Sequence, residues 1–233
     1  MENPLNPRFL SLVVHDLRTP LNVIGLSLHI IERTVSPDQS DVVEDLRAIR
    51  DNIVQMERML AYLADYCRLI SEPARPAAVT FSPRTLLEEL VETQALRAGP
   101  GGAAVQLEVG AESPPAVELD ERLARLALQY ALNNATSSAN GQPVRVRLGG
   151  GQGRCLIEFH VDRPPKSSVR PVPLQPDSYE RLMGTAEDRR GLDLAIVARI
   201  TELFGGSARL EVTEGRGTAI VLDWPARLAG SPS

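Results

Sequence analysis

The residues best suited to chemistry lie near the start of the chain, in the run Val14-His15-Asp16-Leu17-Arg18-Thr19-Pro20-Leu21-Asn22. An imidazole keeps one ring nitrogen unprotonated near neutral pH, so His15 can serve as a nucleophile. Asp16 follows directly and can orient the ring or take its proton. On a helix, Thr19 stands one turn past Asp16 and places its hydroxyl on the same side. The helix itself is announced by Leu10, Val14, Leu17, Leu21, Ile24, Leu28 and Ile31, which recur at helical spacing and make one apolar face. His15 lies beside that face and is expected at the solvent rim of a helical seam. Pro20 falls inside the pattern and is expected to bend the helix just after the histidine.

The elements that position this run follow in order. A first helix is expected over residues 5–35, a turn over 36–40 and a second helix over 40–70. The second carries Val43, Leu46, Ile49, Ile53, Met56, Leu60 and Leu63 at spacings of three and four. An antiparallel hairpin of the two leaves apolar surface over, and pairing two hairpins into a four-helix bundle covers it. A homodimer is therefore expected. Residues 72–76, Glu-Pro-Ala-Arg-Pro, read as a linker. Beyond them the pattern is mixed: strands at 79–81, 105–109 and 116–119, a helix at 83–97, and a helix capped by Asp120 and running to 138. Residues 144–148 and 155–161 read as a hairpin around Gly149–Gly153, 191–204 as a helix, and 208–212 with 218–224 as a closing hairpin. The fold class expected is α+β: a helical hairpin, then a two-layer α/β sandwich.

The run around His15 resembles the H-box of sensor histidine kinases, whose usual form is His-Glu/Asp-Leu-Arg-Thr-Pro-Leu. The resemblance implies that His15 accepts and donates a phosphoryl group, that Asp16 assists, and that Asp16 with Thr19 serves hydrolysis of a partner's phospho-aspartate. Arg18 is placed to steer the acidic pocket of a receiver domain. The later elements are similar in order to the GHKL, or Bergerat, ATP-binding domain of the same family, and motif by motif the likeness is uneven. The N-box falls on Tyr130-Ala131-Leu132-Asn133-Asn134-Ala135; Asn134 keeps the position that helps hold magnesium, and Tyr130 replaces the other asparagine. The G1 pattern, Asp-x-Gly-x-Gly, falls on Asp162-Arg163-Pro164-Pro165-Lys166. Asp162 takes the place of the adenine-reading carboxylate, and both glycines are gone. A strand-end turn former is the alternative account of Asp162. The G2 pattern falls on residues 189–197, where only Gly191 survives of three glycines and Asp193 puts a carboxylate at the helix start. Arg189 and Arg190 can offset that charge. The lid between these motifs is Pro-rich.

Three functions fit. In the first, a phosphotransferase or response-regulator phosphatase carries phosphoryl groups on His15, with a degenerate ATP site and no cofactor. In the second, an autokinase with an atypical pocket uses ATP and magnesium, the metal held at Asn134. In the third, a non-enzymatic dimeric scaffold binds a receiver domain. The intact Asp16–Thr19 pair argues against the third and the lost glycines against the second. The partners implied are a response-regulator receiver domain, a second copy of the chain and an upstream sensor protein, since only a short leader precedes His15. His29 reads as a solvated helix residue and His160 as a packing or surface residue.

Composition bounds the rest. The net charge of −5 gives no reason to expect nucleic acid. No apolar run spans a bilayer, so membrane insertion is not expected and a cytoplasmic location is. Cys67 and Cys155 fit no metal or redox spacing. Lys166 is the only lysine, and with abundant Ala, Gly and Pro it points to a GC-rich bacterial genome. The domain organisation expected is 1–72 for dimerisation and the phosphoacceptor, 73–78 as linker, 79–227 for the ATPase-like domain and 228–233 as a frayed tail.

Overall fold

The computed structural model describes residues 7–36, 39–71, 76–98, 102–162, 172–174, 191–213 and 217–226. Chain contacts divide it into two units, Met1–Pro73 and Ala74–Ser233.

The first unit is a helical hairpin of α1 (Pro7–Glu32) and α2 (Ser40–Ser71). Pro20 lies within α1 without ending it. The apolar residues follow a seven-residue repeat, and the two members of the repeat have different fates. Val14, Leu21 and Leu28 on α1 and Leu46, Ile53 and Leu60 on α2 form one buried cluster inside the hairpin. The residues three positions on, Leu17, Ile24 and Ile31 on α1 and Ile49 and Met56 on α2, stay largely exposed. The sequence thus builds a two-sided seam of which one hairpin fills only half. Arg50 ties the second helix to Glu32 at the end of the first.

The second unit is a six-stranded sheet with helices on one face. Its elements are β1 (Val79–Phe81), α3 (Pro83–Ala98), β2 (Val105–Val109), β3 (Val117–Leu119), α4 (Glu121–Ala139), β4 (Val144–Gly151), β5 (Arg154–Val161), β6 (Val172–Pro173), α5 (Gly191–Leu203), β7 (Ser207–Thr213) and β8 (Gly217–Pro225). The strand order is β2-β4-β5-β8-β7-β6, with β2 parallel to β4 and the other neighbours antiparallel; β1 and β3 make a separate ribbon. Strict alternation on β5 buries Cys155, Ile157, Phe159 and Val161 and leaves Arg154, Leu156, Glu158 and His160 partly exposed. The buried row packs under α4 and α5 with Val144, Val146 and Leu148 of β4 and Leu222 and Trp224 of β8. Trp224 sits edge-on to Phe204 at 5.4 Å and donates its indole N–H to Thr201 Oγ1 at 3.1 Å.

Local chemistry explains the ends of these elements. Asp120 caps α4: its Oδ1 accepts from Leu123 N at 3.0 Å, and its Oδ2 accepts from Ala77 N at 3.0 Å, tying the segment before β1 to the same helix start. Asn140 closes α4 in the left-handed region at φ 50°. Two features differ from expectation. The glycines 149–151 continue β4 as strand, so the turn shrinks to Gln152 and Gly153, both at positive φ, the two-residue turn that suits strand twist. A short strand, β6, also forms within the Pro-rich stretch, at the sheet edge where proline's missing N–H is tolerated.

Candidate functional site

Six successive residues of α1, His15 to Pro20, are exposed between buried Val14 and Leu21. The His15 side chain is 82% exposed, and its Nδ1 lies 3.3 Å from Asp16 Oδ1. With Nδ1–H donated to the carboxylate, the Nε2 lone pair faces solvent, ready for an incoming electrophile. Arg18 and Thr19 are exposed on the same stretch of helix. The structure therefore brings His15, Asp16, Arg18 and Thr19 together on an open surface that a globular partner can reach. His29 is exposed farther along α1.

The nucleotide-type residues are not brought together in the same way. Asn134 is buried on α4, and Gly191 opens α5, the two helices packing against each other. Asp193 is buried in the first turn of α5, where its charge compensates the positive end of the helix. Asp162 stands just past β5, 49% exposed, with its Oδ1 at 2.9 Å from His160 Nε2 and 2.5 Å from Arg145 Nη2. The motif alone does not connect Arg145 or His160 with this carboxylate. The signal is in the phase of the strand: Asp162 shares parity with half-buried His160, not with buried Phe159 and Val161. Arg163, Pro164, Pro165, Lys166, Arg189 and Arg190 lie outside the described residues. Among the described residues no group of three or more His, Cys, Asp and Glu side chains converges as for a metal, and no helix is long and apolar enough to cross a membrane. Asp193 thus sets a buried carboxylate at a helix start, where N–H groups otherwise face an anion.

Comparison with known proteins follows the same division of the chain. Residues 6–72 match the His Kinase A (phospho-acceptor) domain, and residues 119–228 match the histidine kinase-, DNA gyrase B- and HSP90-like ATPase family. The chain is 29% identical to the sensor protein KdpD of Mycobacterium tuberculosis, over 95% of this chain and 26% of that protein. It is 28% identical to the sensor histidine kinase AruS of Pseudomonas aeruginosa, over 95% of this chain and 23% of that one. It thus spans about a quarter of the length of these curated relatives. Among solved structures, full-length ShkA in complex with AMPPNP superposes with a TM-score of 0.71 at 21% identity, covering 98% of this chain and 48% of that one. Histidine kinase ThkA in complex with the response regulator TrrA gives 0.64 at 15% identity, covering 94% of this chain and 61% of that one. At such identities these structures speak for the fold.

Proposed function

We propose that this chain, which belongs to the sensor histidine kinase family and joins a phosphoacceptor hairpin to a GHKL-type ATPase domain, works in two-component signalling as a carrier of phosphoryl groups on His15. The observation that carries the reading is the exposed His15–Asp16 pair with Thr19 on the same surface of α1. In the step proposed, His15 Nε2 attacks the phosphorus of a receiver's phospho-aspartate. A P–N bond forms as the P–O bond to the aspartyl carboxylate breaks, and the carboxylate leaves with the electron pair. Asp16 holds the Nδ1 proton and stabilises the positive charge that develops on the ring. For hydrolysis, Thr19 positions water one turn away, and the products are aspartate and inorganic phosphate. Arg18 is the proposed docking residue for the receiver's acidic pocket. The half-filled seam of α1 and α2 supports a homodimer through the hairpins, and an upstream sensor protein is the proposed source of input.

The ATPase-type domain is proposed to hold nucleotide weakly. Asp193 buried at the start of α5 supports this, as does the loss of the glycines that would let a backbone approach phosphate. A single carboxylate near phosphate costs on the order of 1–3 kcal/mol, one to two decades of affinity. Buried Asn134 and retained Gly191 favour the second reading, an autokinase with an atypical pocket, in which Asn134 would hold magnesium. One experiment separates the two. The chain is incubated with receiver domains phosphorylated on aspartate by a small phosphodonor, and separately with labelled ATP and magnesium. Label is expected from the receivers, lost in His15→Ala and kept in His29→Ala. Micromolar ATP binding with label appearing on His15 would establish the autokinase instead.

A further inference from the structure

The family resemblance implies Asp162, Asn134 and Gly191 as nucleotide contacts, but the sheet separates Asp162 from the other two. Asn134 and Gly191 belong to α4 and α5, which cover the inner face. Successive side chains of a strand point to opposite faces, and on β5 the inner row is Cys155, Ile157, Phe159 and Val161. Asp162 follows His160 by two residues and continues the outer row. Its contacts agree. His160 Nε2 lies at 2.9 Å and Arg145 Nη2 at 2.5 Å, both from Oδ1. Arg145 stands directly across from His160 in the β4–β5 register, on the outer row of its own strand. A one-residue slip of β5 that turned this row inward would move Phe159 and Val161 out of the core and His160 into it.

We infer that Asp162 is a latch of the outer β4–β5 face, held by Arg145 and His160, and not a reader of the nucleotide base. The base subsite on the helical side then receives no carboxylate from Asp162 to accept a hydrogen bond from an exocyclic amine. A purine held there is discriminated poorly between a 6-amino and a 6-oxo group, because the group that would distinguish donor from acceptor is on the other face of the sheet. The inference rests on the reading of this unit as an ATPase-type domain with its nucleotide side toward α4 and α5; it does not depend on phosphoryl chemistry at His15.

Asp162→Asn, Arg145→Gln and the double variant of the full chain test it. An exposed pair of this kind changes the unfolding equilibrium by about two- to fivefold, and the second substitution is expected to add nothing to the first. Additive losses would overturn the latch. Amide NMR of Asp162→Asn should show perturbations around Arg145, His160 and Ala219, with the Asn134 side-chain amide unmoved; movement of Asn134 would overturn the assignment. Affinities for magnesium–ATP and magnesium–GTP are expected to stay within about twofold of the unmodified chain, whereas a loss of roughly tenfold confined to ATP would restore Asp162 as the base reader. Failure of label to reach His15 would refute the function proposed above and leave these readouts unchanged.

Discussion

Ile24→Ala is expected to separate dimer formation from hairpin folding. Ile24 stands in the unfilled half of the α1–α2 seam and is 50% exposed in the single chain. Burying a whole isoleucine side chain contributes about 1.5–3 kcal/mol, so the half left for a partner is about 1 kcal/mol on each protomer. Both copies lose it in the variant, about 2 kcal/mol in all, which raises the dimer Kd by roughly thirtyfold. Ile53→Ala is the matched control. Ile53 is 7% exposed and already packed inside its own hairpin, so its truncation should cost about 2–5 kcal/mol of folding stability. Sedimentation equilibrium over a micromolar concentration series reads the first effect, and urea unfolding of the isolated monomer reads the second. An Ile24→Ala chain that keeps the original Kd within threefold would refute the half-filled seam as the dimer interface, as would a monomeric parent chain at micromolar concentration.

Thr19→Ala should lower hydrolysis of a phosphorylated receiver by on the order of 100-fold while leaving transfer to His15 nearly intact, because the hydroxyl positions the attacking water and not the imidazole; equal losses in the two assays would count against that division. Thr201→Val keeps the side-chain shape but leaves the buried Trp224 N–H without its acceptor, at an expected loss of about 1–3 kcal/mol in denaturant unfolding, and an unchanged midpoint would show that the bond contributes nothing. Cys67 and Cys155 are both buried, so neither should react with an alkylating reagent at pH 8 until the chain unfolds. Burial first, and then the charge of Asp223, push the Cys155 thiol from its ordinary 9.0 up to about 12. The folded chain therefore keeps a proton that the unfolded chain releases between those values. Stability should fall as pH rises through that window, and a flat profile would contradict the burial.

Periodicity and caps are enough to read most of this fold from the sequence. Alternation marks β5, the apolar run Ala219–Leu222 marks β8, the three-and-four spacing marks α1 and α2, and Asp120 marks the start of α4. What is not legible locally depends on residues far apart in the chain. Glycine reads as a breaker, yet Gly150 continues β4 because pairing with β5 leaves no room for a side chain: a Cβ there would meet Arg154 O at 2.5 Å and Pro114 Cδ at 2.8 Å. The parallel pairing of β2 with β4 carries no local signal. At the candidate site, the His15 run is readable because its residues are neighbours in one helix. Asp162 shows the opposite case, since a motif alignment tolerates a shift of one residue and a strand does not.

Retention and loss in this chain have different physical explanations. The inner rows of β4, β5 and β8 are buried, and truncating any large residue there would cost several kcal/mol, so the sheet persists whatever the domain binds. The glycines of a nucleotide loop pack nothing; their replacement costs ligand affinity and leaves folding largely alone. Packing accounts for neither outcome at His15, Asp16 and Thr19. All three are exposed, and folding of the hairpin would hardly change with other polar residues in their places. Exposed residues of these types, arranged so that one imidazole nitrogen is oriented and the other open, are explained by the chemistry they can do. That is why the phosphoryl-carrier reading is anchored on α1 and not on the larger domain.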